Sequence, residues 1–552
     1  MIEFPVVLNP VQILKRDADE EKGSVARMSS YAGAMALGDM LKSTLGPKGM
    51  DKILIGSREG GPQFMHVTND GATILKSVGV ANPAAKILVD ISLVQDAEVG
   101  DGTTTVAVLA AQLLHQAELL IESGIHPQII IRGWRQALQA ARAKLADIAR
   151  MSSDDPSAFR DELQNLACTA LGSKILASHK KLFAEIAVNA VLRTKNTDLS
   201  CIHVITLPGG RLTDSFLDSG FLLQKKAGNY QPNRIENARV LIANTPMDTD
   251  KIKVFSAQIV TDSVNRLRDL EIAEKAKMKK KVDKIIAHNV NVFINRQLIY
   301  NYPEQLFADA KIMAIEHADF DGITRLAHVL GGDIVSTFDN PKETKLGCCE
   351  LIEEVEIADE KFLRFSGVPV GEACTIVLRG ATQQILAEAE RSIHDVLCVL
   401  TTHMKEPKIV DGGVNAFLNI SYLGFIPGCS EIAMANAVQN LASRTAGKIS
   451  VAMDGFAKAL WQIPAILAEN GGYDAADLVA KLRAEHFNGN KTSGIDLTNG
   501  TINNMKQLGV FESYRIKLSA LNAAAEAAEL IIRVDDILSA EPRPREPDDR
   551  PC

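Results

Sequence analysis

Aromatic side chains are scarce: Phe, Tyr and Trp make up 5% of the 552 residues, and only two are Trp. Since 46% of the chain is apolar, Ala, Leu, Ile and Val must fill the core, the composition of a helix-rich globular protein and not of a disordered or fibrous one. Positive charge is not in excess. Lys and Arg number 60 against 68 Asp and Glu, a net charge of −8, so the basic stripe of a dedicated nucleic-acid binder is missing and no nucleic-acid partner is expected. No uninterrupted apolar run reaches the roughly 18 residues that would cross a bilayer, so no membrane partner is expected either. Residues 1–14 carry Glu3, two prolines and no basic stretch, and do not read as a signal peptide. Eight cysteines form no CxxC pair, and the adjacent Cys348 and Cys349 suit neither a zinc knuckle nor a routine disulfide, which points to a reducing, cytoplasmic compartment.

At about 150 residues per domain the length predicts three or four domains. Apolar residues at Val25, Met28, Ala32, Ala36, Leu37 and Leu41 recur near a 3.6 spacing and predict a helix over 23–44, ended by Gly46-Pro47. Further helices are expected over 71–77, 83–94, 103–123 and 127–149. From Cys201 onward short β-type runs appear, such as 203–207 and 240–243, punctuated by Gly209-Gly210, Gly220 and Pro232. This α/β alternation extends to about Thr375, and helices return over 383–400, 431–445, 452–469, 474–486 and 515–539. The fold class expected is mainly α with an α/β middle. A helical start and end around that middle suggest nested domains, the chain leaving one, building another and returning. Residues 266–284 mix six lysines with Asp269, Glu271 and Glu274, and read as a solvated helix with i,i+4 charge pairs.

The sharpest chemical signal is Gly100-Asp101-Gly102-Thr103-Thr104-Thr105, directly before an apolar helix. Glycines allow close backbone approach, a helix N-terminus presents N–H groups to an anion, and Asp101 offers a hard oxygen for Mg²⁺. Asp and Thr are also favoured at ordinary helix N-caps, so the motif alone leaves both readings open. Leu45-Gly46-Pro47-Lys48-Gly49 and Thr68-Asn69-Asp70-Gly71 are each strong turn formers, yet three such loops in one helical layer suit a nucleotide–metal site. A Walker A loop is absent, since Thr445-Ala446-Gly447-Lys448 follows Ala442 where Gly is required. Asp395 borders the apolar stripe Leu386, Ala389, Ile393, Val396, Leu397 and Leu400; from the residues alone it is expected to be solvated, and His394 to be a surface or satisfied histidine.

Taken together, Leu45 to Lys52, Thr68-Asn69-Asp70-Gly71-Ala72-Thr73 and Gly100 to Thr105 resemble the three signatures of group II chaperonins, in order and at their usual separation. Val377-Leu378-Arg379-Gly380, Glu388, Glu390-Arg391-Ser392 and His394-Asp395 match the same family, and the resemblance runs from about Val11 to Leu538. The stretch from Phe293 to Phe307 and the terminal Pro551-Cys552 are similar to its eukaryotic cytosolic branch, CCT/TRiC. The resemblance implies a three-domain subunit. Residues 1–152 and 411–552 would form an equatorial ATPase domain, 153–222 and 375–410 an intermediate hinge, and 223–374 an apical substrate domain with a helical protrusion. It implies ATP and Mg²⁺ as cofactors, seven paralogous subunits in a hetero-oligomeric double ring as partners, and unfolded clients such as actin and tubulin. By position, Gly46, Pro47, Gly102, Thr103, Thr104, Thr105 and Gly413 would approach the nucleotide, with Glu512 and Lys517 at the base and ribose. Asp101 would hold Mg²⁺, Asp70 would lie near the metal and the attacking water, Lys174 would sense the γ-phosphate, and Asp395 would orient the water.

One departure stands out. The family pattern Val-x-Gly-Gly-Gly-x-x-Glu is split here, because residues 414–427 separate Val410-Asp411-Gly412-Gly413 from Gly428-Cys429-Ser430-Glu431. The insert, VNAFLNISYLGFIP, is uncharged and apolar, unlike a solvated loop, and is read as a retained in-frame intron or gene-model error. If it is part of the protein, a structural ring subunit with weak or lost ATPase becomes the competing reading. A metabolic ATP-dependent enzyme is a third, for which the middle of the chain offers no compact set of His, Cys or paired carboxylates.

Overall fold

The computed structural model describes residues 19–56, 64–153, 155–194, 199–228, 230–247, 264–316, 320–341, 344–358, 360–368, 374–412, 428–490, 492–497, 499–504 and 510–539. The chain divides into two compact units: Met1–Ser152 with Lys408–Cys552, and Ser153–Pro407.

Helices dominate the first unit. Ser24–Lys42, Pro83–Val99, Thr103–Glu122 and Pro127–Ile148 come from its first segment, and Cys429–Arg444, Lys448–Asn470, Ala475–Phe487 and Tyr514–Ile532 from its second. With few aromatics available, alanines such as Ala107, Ala137, Ala457 and Ala524 are fully buried and let helices approach closely. The extreme case is Gly38, where a Cβ would lie 2.2 Å from Ala111 Cβ, so helices Ser24–Lys42 and Thr103–Glu122 leave no room for a side chain. Trp134 is buried, and its Nε1 donates to the Ala452 carbonyl at 3.0 Å, which joins the two chain segments.

Thr103–Glu122 is the most apolar of these long helices. By length and averaged hydropathy it could cross a bilayer, although Gln112, His115, Gln116 and Glu118 interrupt its apolar sequence. Here it is a core helix, with Val106, Ala107, Ala110, Leu113 and Leu114 packed among the other helices.

Strands tie the segments of this unit together. Lys408–Gly412 pairs antiparallel with both Ala149–Met151 and Val510–Ser513. Lys52–Gly56 and Phe64–Thr68 form a hairpin. Asp19–Lys22 pairs antiparallel with Asp536–Ser539, so the helix expected over 515–539 ends instead at Ile532. The reason lies at Asp535: its carbonyl accepts the Gly23 N–H at 2.9 Å and its carboxylate pairs with Arg27, which draws the chain out of the helix and into the pairing.

The second unit carries helices Pro156–Leu171, Lys180–Arg193 and Gln383–Lys405 with a three-stranded sheet, Cys374–Gly380 between Ile202–Pro208 and Phe216–Asp218. It also holds a seven-stranded mixed sheet centred on Arg234–Ala243 and Gly347–Ile357. Val240, Ile242, Val292 and Ile294 pack on one face of that sheet, and Leu241, Ala243 and Phe293 on the other. Period-2 alternation with both faces buried explains why these strands read as continuous apolar runs. The charged segment 266–284 lies in a helix, Val264–Ala287, whose residues 272–277 are exposed and which is anchored at its end by Val282 and Ile285.

Candidate functional site

In the first unit the helix Pro83–Val99 ends at Gly100, left-handed at φ 76°, and the next helix starts after Gly102, left-handed at φ 81°. Two such residues so close together call for glycine, because L side chains are disfavoured there. Gly102 is the N-cap of Thr103–Glu122, and no side chain caps that helix. The N-cap position is thus held by Gly102 and not by an Asp or Thr, and the Asp101 carboxylate accepts the Gly102 N–H at 2.7 Å.

Asp70 does serve as an N-cap. It accepts the N–H groups of Ala72 and Thr73 at 3.3 and 2.9 Å, and the Thr73 hydroxyl at 2.7 Å. Its Oδ1 also accepts the Thr103 hydroxyl at 3.1 Å, which joins the second loop to the third. A Cβ on Gly71 would meet Thr104 N at 2.8 Å, so the absence of a side chain there permits the contact. The Gly46 loop is anchored from another side. Gly46 is left-handed at φ 84°, its Cβ would lie 2.4 Å from Leu467 Cδ2, and Asn470 Nδ2 donates to the Lys42 and Leu45 carbonyls at 2.8 Å. Pro47 follows in the same loop, half-buried.

Glu512 and Lys517 form an ion triad with buried Glu431, their own side chains 21% and 11% exposed. Lys517 Nζ lies 2.5 Å from Glu431 Oε1 and 3.0 Å from Glu512 Oε1. Burial opposes the charged lysine, but the two carboxylates outweigh it and hold its pKa above the ordinary value. Burial pushes Glu431 up, yet the Lys517 charge and hydrogen bond prevail and its pKa is lowered. Glu512 is raised: burial comes first, Lys517 counters it, and the charges of Glu431 and Asp101 add to the rise. The Asp101 contribution places this triad within electrostatic reach of the Gly100–Gly102 loop, and Ile516 Cγ2 would stand 3.4 Å from a Cβ on Gly102. Glu431 was visible in the sequence only as the last letter of a family pattern, and no local signal marks it as the partner of a lysine 86 positions away.

Lys174 and Asp395 belong to the second unit. Nζ lies 2.7 Å from Oδ2, and each side chain is 9% exposed, so the expectation that Asp395 is solvated is corrected. It sits on the same helix as its apolar stripe, and the lysine supplies the charge that permits burial. His394 lies at the surface, its side chain 61% exposed and its Nδ1 4.0 Å from Asp395 Oδ1, within the expectation of a surface or satisfied histidine. Gly413 and residues 414–427 lie outside the described residues, as does Pro551-Cys552.

Among the described residues no cluster of three or more His, Cys, Asp or Glu forms a closed cation site. A half-buried Asp101 beside an uncapped helix N-terminus fits a Mg²⁺ that takes its other ligands from phosphate and water, as this cation prefers.

The chain is 58% identical over 546 residues to T-complex protein 1 subunit beta of Homo sapiens, covering 99% of each chain. It is 57% identical over 544 residues to the Caenorhabditis elegans protein of that name, covering 98% of this chain and all of the relative. Against the Arabidopsis thaliana protein the identity is 53% over 536 residues, with 97% and 99% coverage. The model of the TCP-1/cpn60 chaperonin family matches residues 37–542, and the chain belongs to that family.

Proposed function

We propose that this chain is an ATP-hydrolysing subunit of a cytoplasmic, hetero-oligomeric double-ring chaperonin, assembled with seven paralogues and folding clients such as actin and tubulin. The observation that carries this reading is the uncapped N-terminus of Thr103–Glu122, flanked by left-handed Gly100 and Gly102 and braced by Asp70 through Thr103. The N–H groups of Thr103, Thr104 and Thr105 would bind phosphate, with Gly46 and Pro47 on the neighbouring loop and Gly413 approaching the nucleotide. Glu512 and Lys517, pre-set by Glu431, would hold the base and ribose end. Asp101 would hold Mg²⁺, which when bound would supply charge neutralisation across the phosphates. Asp70 and Asp395 would position the attacking water, and Lys174 would sense the γ-phosphate. Supplying the Lys174–Asp395 pair from a hinge domain makes hydrolysis conditional on domain closure, which in turn closes the chamber.

The unit Met1–Ser152 with Lys408–Cys552 supports an equatorial domain of 1–152 and 411–552. The remaining residues would then supply the hinge, 153–222 with 375–410, and the apical domain 223–374. Ring membership is supported by the hairpin Lys52–Gly56 and Phe64–Thr68, which exposes Ile53, Ile55 and Met65 by 63, 72 and 49%. The insert at 414–427 favours a second reading, a structural ring subunit with weak or lost ATPase. ATP turnover by assembled rings decides between the two, with Asp395→Ala in this subunit as the reference. Faster turnover by the unmodified ring is expected; equal turnover withdraws the catalytic assignment and leaves the structural role.

A further inference from the structure

Gln95 is 2% exposed in a helix that otherwise buries mainly apolar groups. A buried amide costs free energy unless both of its ends are bonded, and here they are. Nε2 donates to the Asp101 carbonyl at 3.0 Å, and Oε1 accepts the Ser519 hydroxyl at 2.8 Å. The same residue's backbone carbonyl accepts the Gly100 N–H at 3.3 Å. One turn earlier Ser92, fully buried, donates to the Thr103 carbonyl at 3.2 Å.

Two bonds meet on one peptide plane, the first of them from Gln95. The carbonyl of the Asp101–Gly102 peptide is held by Gln95, and its N–H is held by the Asp101 carboxylate at 2.7 Å. The carboxylate orientation is therefore tied to the orientation of the plane. Left-handed glycines at 100 and 102 give the backbone on both sides unusual freedom, so the plane needs an external clamp. Ser519, on the helix that carries Lys517, fixes which way round the Gln95 amide sits.

We propose that Gln95 and Ser519 are positioning residues that set the Asp101 carboxylate for Mg²⁺–nucleotide and couple it to the helix Tyr514–Ile532. This rests on the reading of Asp101 as the Mg²⁺ ligand. Outer partners that orient a metal ligand are typically worth about 10–100-fold in metal affinity.

The test is photolabelling of this subunit by 8-azido-ATP within assembled rings, resolved from its paralogues by mass and titrated with Mg²⁺ and, separately, in EDTA. Gln95→Leu is expected to raise the Mg²⁺ concentration for half-maximal labelling about 10–100-fold, leaving labelling in EDTA within about twofold. Ser519→Ala, which leaves the Gln95–Asp101 bond possible, is expected to raise it about threefold to tenfold, and this smaller change decides the matter if Gln95→Leu rings fail to assemble. Asp101→Ala is the control. If it shifts the Mg²⁺ titration while Gln95→Leu and Ser519→Ala do not, the positioning role is overturned alone. If Asp101→Ala also leaves the titration unchanged, the assignment of Asp101 to the metal falls and the positioning role with it.

Discussion

Lys174 Nζ and Asp395 Oδ2 stand 2.7 Å apart, 221 positions apart in sequence, with both side chains 9% exposed. Removing Lys174 takes the nearer counter-charge from buried Asp395, whose Oδ1 also lies 4.0 Å from His394 Nδ1, a cost of about 3–5 kcal/mol. Lys174→Met is expected to destabilise the chain by that amount, whereas Lys174→Met with Asp395→Leu should recover most of it, because no buried charge remains. Urea unfolding followed by circular dichroism checks this. Additive single and double losses would show that the two groups are not coupled.

The two carboxylates around Lys517 should respond unequally to neutralisation. Glu431 has a lowered pKa, so its stabilisation is present above the unfolded carboxylate value and lost as pH falls through the folded one. Glu512 has a raised pKa, so its ionisation opposes folding as pH rises from the unfolded value towards the folded one. At pH 7, Glu431→Gln is expected to cost about 3–5 kcal/mol and Glu512→Gln to be near neutral. Melting temperatures of both variants at pH 7 are the measurement, and equal losses would contradict it.

Gly46 and Gly102 are both left-handed, but they differ in surroundings. A Cβ at 102 meets Ile516 at an ordinary 3.4 Å, whereas one at 46 would sit 2.4 Å from Leu467. Gly102→Ala should cost about 1–2 kcal/mol from backbone strain alone, and Gly46→Ala more, since a buried leucine must also move. Thermal melting ranks the two. A larger loss at 102 would mean that the helix N-terminus tolerates strain less well than the core contact.

Deleting residues 414–427 restores the spacing between Val410 and Glu431 that the family pattern requires. If the insert disables a working site, rings with the deletion exceed the Asp395→Ala reference in ATP turnover and rings with the insert match it. Equal turnover above the reference by both forms would show that the loop is tolerated. Full-length transcripts give an independent check, since a dominant message carrying the insert contradicts its reading as a retained intron.

Much of the site was legible because its chemistry is local. Gly100, Gly102 and the threonines that follow are contiguous, and a glycine-flanked helix start is a short-range signal. Asp155-Pro156 is an equally local signal, an N-cap and first-turn proline opening the helix Pro156–Leu171. Other features had no local signal. Asp536–Ser539 continues the apolar spacing of the preceding helix, and only a partner at Asp19–Lys22 makes it a strand. Asp395 looked solvated because the lysine that permits its burial lies in a distant bend, just before Ile175–His179. Gln95 looked like one more polar residue near a helix end, and its worth depends on Ser519, 424 positions away.

The strand pairing of Asp19–Lys22 with Asp536–Ser539 has a consequence for biosynthesis. The first unit cannot close until the last of its residues has left the ribosome, whereas Ser153–Pro407 is complete well before. At about 5–20 residues per second, the apolar faces of the helices Ser24–Lys42 to Pro127–Ile148 wait about 20–80 s for their partners. Nascent chains stalled before Lys408 should therefore be cut by protease within the first 152 residues and spared in the middle. During its own synthesis a member of this family of folding machines thus passes through the kind of exposed, half-built state that such machines exist to shelter.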